Sequence, residues 1–244
     1  MDILFEMDRT LRFLAIVTFG GILIAGLTLG VMIIPGRTAR ETLSTTQSFS
    51  LTITPNHTLN EVTILIPLPA DANGFSPIVI EAGARNISGL PADWNTTLVG
   101  TKEFTFLGIS ADHINAGEGT ATPYTLTITR TALRVPPDTA APAGREPLFR
   151  PRTAEITIPC PTATGGTPQT CSGYATSVFA EYRAVPDTQV EIRMNFSGSN
   201  TWEVLGTHSG GYRDTATLSL HGTVLPGWHT ATGILESGIG EEFP

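Results

Sequence analysis

A run of 22 residues, Phe13 to Ile34, carries no charged side chain. As a helix it reaches about 33 Å, enough to cross a hydrocarbon core of about 30 Å with modest tilt. A secretory signal would have a shorter apolar stretch, about 7–15 residues, ending at a small-residue cleavage site. Ile33, Ile34, Pro35 and Gly36 stand at that place instead. A pilin-like assembly helix would need a processing site ahead of the run, where only Asp8, Arg9, Thr10, Leu11 and Arg12 are found. The expectation is therefore a retained transmembrane α-helix over residues 13–34, after a short cytoplasmic tail, 1–12. Gly26 and Gly30 form a G-x-x-x-G within it, which would let a second helix approach closely, although glycine is common in membrane helices anyway.

Orientation does not follow from the flanking bases, because Arg9 and Arg12 on one side are matched by Arg37 and Arg40 on the other. Two other features point the same way. Four N-x-S/T glycosylation sequons, at Asn56, Asn86, Asn95 and Asn195, all follow the apolar run. The two cysteines, Cys160 and Cys171, bracket the turn-forming stretch PTATGGTPQT and have only each other to pair with. Bridged, they would close a loop worth roughly 3 kcal/mol in the chain-entropy model, provided the compartment is oxidising. Both features place the large C-terminal part outside the cytoplasm. The expected location is thus the cell membrane, with the N-terminus cytoplasmic.

Composition bounds what that exterior part can be. The whole sequence, with 41% hydrophobic and 15% charged residues, has the make-up of a folded chain rather than a disordered one. A net charge of -8 argues against nucleic acid and against anionic lipid headgroups as partners.

Beyond the apolar run the hydrophobic period is two. In TQVEIRMNF, Val190, Ile192, Met194 and Phe196 alternate with polar residues, as a strand with one buried and one wet face requires. The sequon residue Asn195 falls on the wet face. SFSLTITP, EVTILIPL, PYTLTITR and TATLSLHG repeat the pattern, and Pro77 to Ala82 reads as a further strand. Turn signals fall between, among them Asp71-Ala72-Asn73-Gly74, Pro186-Asp187 and Pro226-Gly227. About ten short strands of this kind predict an all-β ectodomain, an antiparallel β-sandwich of Ig-like type, over 47–236. A juxtamembrane linker, 35–46, would precede it and a polar tail, 237–244, would follow. The Pro-rich stretch 134–152 has no apolar period, so it reads either as a long loop of one sandwich or as a link between two small β domains.

Catalytic constellations are scarce. The densest polar cluster, GTHSGGYRD, brings His208, Ser209, Tyr212, Arg213 and Asp214 close in sequence, but it lacks the G-x-S-x-G elbow and reads as a turn with a polar edge. A hydrolase site between His208 and Asp214 is the remotest alternative. The five histidines show no metal-ligand spacing, and Cys171 is followed by no copper ligand. No catalytic residue, cofactor or metal is expected. Trp94, Trp202 and Trp228 each lie at a predicted loop or strand edge, where an indole caps the core or stands exposed to stack on a sugar or a partner.

From GSNTWEV through GGYRDTATLSLHG to GWHTATG, together with NEVTILIPLP and the single N-terminal helix, the chain resembles uncharacterised single-pass surface proteins of halophilic archaea. The resemblance implies no activity and transfers no site. The acidic excess is milder than a halophile surface usually carries. The expected role is structural or interaction work at the cell envelope, through the bilayer and an envelope protein or glycan. The alternative is a carbohydrate- or partner-binding module that uses the tryptophans.

Overall fold

The computed structural model describes residue 20 and residues 37–70, 74, 76–84, 86–101, 104–116, 120–133, 148–160 and 170–241. Apart from Gly20, which is helical, the expected transmembrane segment, with Gly26 and Gly30, lies outside the described residues. Among the described residues no helix is long and apolar enough to cross a membrane.

The fold is mostly antiparallel β. The strands are β1 (Ser44–Pro55), β2 (Leu59–Pro67), β3 (Pro69–Ala70), β4 (Asn95–Gly100), β5 (Thr105–Ile114), β6 (Tyr124–Leu133), β7 (Leu148–Phe149), β8 (Thr153–Ile158), β9 (Thr170–Arg183), β10 (Gln189–Glu203), β11 (Thr207–His221) and β12 (Val224–Gly240). Nine of them pair in the order β4-β5-β2-β9-β12-β11-β10-β1-β6, and β8 joins the same sheet along β9, while β3 and β7 form a separate pair. The sequence predicts two sheets packed face to face. The strands instead pair along one path, and that sheet curls. Its two ends approach each other: Ser88, ahead of β4, bridges to Thr127 of β6, and the Trp94 ring lies 5.3 Å from that of Tyr124. Strands of 14 to 17 residues, such as β9 to β12, accumulate enough twist to bring this about.

The alternating residues meet inside the curl. On β10, Val190, Ile192, Met194 and Phe196 are buried, facing Ile53, Leu51 and Phe49 of β1 on one side and Leu220, Leu218 and Ala216 of β11 on the other. One continuous cluster of buried side chains takes in residues from both sides of the Pro-rich stretch. That stretch is not a plain loop or link where it is described, for Leu148 and Phe149 enter the core, with Phe149 edge-on to Phe49 at 6.2 Å.

Several boundaries differ from expectation. Residues 37–42 are helical and β1 begins at Ser44, so the expected linker is already structured. Val79–Gly83 is a short helix, not a strand, closed by Ala82 N–H donating to the Ile78 carbonyl and Ala84 N–H to that of Ile80. β12 runs to Gly240, so the expected tail begins as strand. Pro226-Gly227 marks a bulge in β12; the turn before it centres on Gly222, whose φ of 63° is left-handed. Cys160 and Cys171 form a disulfide with a Cα–Cα distance of 5.1 Å, as their spacing predicts.

Candidate functional site

Three arrangements hold the chemistry of this fold, and the cluster that the sequence singled out is divided between two of them, Asp214 in the first and His208 in the second. The first is buried. On β11 the inward positions are Tyr212, Asp214, Ala216, Leu218 and Leu220, so the carboxylate of Asp214 is fully enclosed. It accepts a hydrogen bond of 2.5 Å from the Tyr174 hydroxyl and one of 3.2 Å from the Phe149 backbone N–H. The Tyr174 ring lies over Gly233, where a Cβ would overlap it, and the Arg152 guanidinium sits 4.0 Å above the ring centre. The set thus joins β11, β9 and β12 to the entering segment 148–152. Its chemistry is that of a tether: a buried carboxylate gathers two donors that would otherwise be stranded away from water.

Asp214 was expected at the polar edge of a turn, which is incorrect. GTHSGGYRD is strand from Thr207 onward, and Gly210 and Gly211 are there because Cβ atoms would collide with the backbones of Glu241 and Gly198. His208 and Asp214, six residues apart on one strand, are separated by about 20 Å. They do not converge on a common point.

The second arrangement is at the stem of the β10–β11 hairpin. Trp202 is buried against Ala39 and Leu43, with Val204 packed beside them. The Glu203 N–H donates to the Thr42 hydroxyl at 2.9 Å, so the helical turn 37–42 is seated on the stem. His208 stacks on Trp202, with ring centres 6.0 Å apart and planes 15° apart. Its Nδ1 meets a carboxylate oxygen of Glu241, and its Nε2 lies 2.8 Å from the Val204 carbonyl. The Val204 carbonyl and an ionised Glu241 both accept, an arrangement that favours the protonated ring. The Glu241 hydrogen bond first, then that to Val204, raises the pKa above the ordinary 6.5. A group raised on folding contributes its stability below its unfolded pKa and loses it as pH climbs through the folded value. The stability of the wild type is therefore expected to fall, relative to a Glu241→Gln variant, as pH rises from below 6.5 through the raised folded value. Thermal melts of the two proteins across that range check this; parallel profiles would mean that the His208–Glu241 pair does not contribute to stability.

The third is on the outer face. Trp228 is 56% exposed and rests on Phe106 and Phe179, with ring centres 5.2 and 5.6 Å away. Further along the same strands is an open concavity of about 400 Å³ lined by Glu61, Thr63, Asp93, Asn95, Ser110, Asp112 and Glu181. Glu61, at a left-handed φ of 53°, pairs with Arg183 at 3.1 Å. Trp94 and Trp202 do not join Trp228 as exposed platforms, since both are buried, the one tilted against the Tyr124 ring and the other beneath the helical turn. Among the described residues no group of three His, Cys, Asp or Glu is placed to hold a metal ion.

The sequon asparagines divide into two kinds. Asn86 and Asn95 are exposed. Asn56 and Asn195 are half-buried, and their side-chain oxygens are engaged: Asn56 accepts from the Gln189 N–H at 2.7 Å, and Asn195 from the Thr215 hydroxyl at 3.1 Å. No protein-family model, no curated protein and no solved structure matches the chain.

Proposed function

We propose that the chain is a single-pass membrane protein that holds a β domain outside the cytoplasm, for structural or interaction work at the cell envelope. The observation that carries this reading is the Cys160–Cys171 disulfide, since such bonds persist in oxidising compartments and are rare in the cytosol. The uncharged run over 13–34 supplies the anchor in the same reading, and the tail 1–12 stays inside. Exposed Asn95 is the sequon best placed to carry glycan, since the amide nitrogen of Asn86, also exposed, donates to Glu81 at 2.8 Å. Alkaline carbonate extraction of membranes tests the anchor. The full chain should stay in the pellet; release into the supernatant would refute a spanning helix.

A second reading, recognition of a glycan or partner, rests on Trp228 alone. An exposed indole on an aromatic bed beside a polar concavity offers both a stacking face and hydrogen-bond acceptors. Trp94→Ala and Trp202→Ala would report on stability rather than on a ligand.

A further inference from the structure

We infer that the tip of the β10–β11 hairpin, led by Leu205, is a second membrane contact that rests against the lipid surface beside the anchor. The inference rests on the anchored reading above. Leu205 is the most exposed of the large apolar side chains described, at 107%, and its φ of 55° is a conformation ordinarily given to Gly or Asn. Nothing within the fold uses the side chain. Isolated exposed leucines are commonplace on soluble surfaces, and Leu225 at the other end of the domain is one. What distinguishes Leu205 is its place.

Ser44 pairs with Thr201, and the antiparallel register means that the chain followed back from Ser44 travels as β10 does, toward the hairpin tip. The helical turn 37–42 then lies against the stem, with Thr42 bonded to Glu203 and Ala39 packed at Trp202. Only Pro35 and Gly36 separate Arg37 from the end of the apolar run in sequence. Leu205 is two residues beyond Glu203, about 7 Å along the strand direction. The tip and the turn 37–42, from which the apolar run leads back in sequence, therefore share one end of the domain. Leu133, 73% exposed, ends β6 opposite Ser44 and adds a second apolar side chain there. Two of the carboxylates at this end have cationic partners, Glu41 with Arg37 at 3.5 Å and Glu241 with His208, while Glu203 beside the tip stands exposed, so a zwitterionic lipid surface suits the tip better than an anionic one. An apolar side chain presented on a stem that is braced against the anchor's own root suits insertion at the headgroup boundary.

The test uses the full chain, with Leu205→Cys or Leu225→Cys carrying an environment-sensitive fluorophore, the native cysteines being bridged to each other. The protein is reconstituted in phosphatidylcholine vesicles containing a lipid with a quencher near the headgroup, and flotation is measured first. Flotation with a blue-shifted, quenched label at 205 and an unchanged label at 225 is the expected result. Flotation with both labels unquenched would overturn the inference and leave the anchor standing. Failure to float would remove the anchored reading and the inference with it.

Discussion

Asp214→Ala is expected to destabilise the protein by about 3 kcal/mol or more, because two buried donors lose their acceptor together. The Tyr174 hydroxyl and the Phe149 N–H both point at this carboxylate inside the core. Alanine can accept from neither, and a fully enclosed site gives water poor access. Asp214→Asn should fall between alanine and the wild type. Its single carbonyl oxygen satisfies one donor, while its amide turns N–H groups toward the other. Tyr174→Phe removes a donor rather than an acceptor and should cost about 1 kcal/mol. Urea denaturation midpoints order the three variants, and hydrogen exchange at the Phe149 amide should quicken in the alanine variant. An alanine variant as stable as the wild type would mean that segment 148–152 is not tethered here.

Met194→Asp should be at least as damaging, about 4 kcal/mol, since it puts a carboxylate with no partner among packed side chains. Met194 is fully buried between Leu51 of β1 and Ala216 of β11, near the middle of the longest ladders in the sheet. Its neighbour Asn195 points the other way and accepts from the Thr215 hydroxyl, which an aspartate also does. Asn195→Asp should accordingly change stability by no more than about 0.5 kcal/mol. Thermal melts of the two variants side by side check the face assignment. Equal shifts would mean that the two faces of β10 are misassigned, for a strand cannot turn one of these residues inward without turning the other out.

How far residue pattern reaches is visible in particular segments. The core of β1, β2, β6, β10 and the latter half of β11 could be read by counting in twos, because a strand with one wet face must alternate. The same count, carried back from Ala216, arrives at Asp214 and Tyr212, so the buried carboxylate was within reach of the pattern. It was hidden by chemistry: glycines and polar residues in GTHSGGYRD look like a turn. In the fold those glycines serve close backbone approach within the sheet. Whether the facing half of the core belongs to a second sheet or to the same sheet curled over cannot be read from a period of two, which specifies only that one face is buried. Val79–Gly83 was misread because a β-branched run, Ile78-Val79-Ile80, favours strand, while only Ala82 of the helix is buried and local pattern carries little there. The tryptophans were ambiguous for a plain reason. An indole at a strand edge is equally at home capping a core, as Trp94 and Trp202 do, or standing out, as Trp228 does.

The membrane-tethered, outward-facing domain is tested most directly by protease shaving of intact cells, with the released and membrane-retained peptides identified by mass spectrometry. The account predicts that peptides from the β strands are released without lysis, while peptides from residues 1–12 remain with the membrane until cells are opened. Strand peptides that appear only after lysis, or a mature chain that has lost residues 1–12, would contradict it.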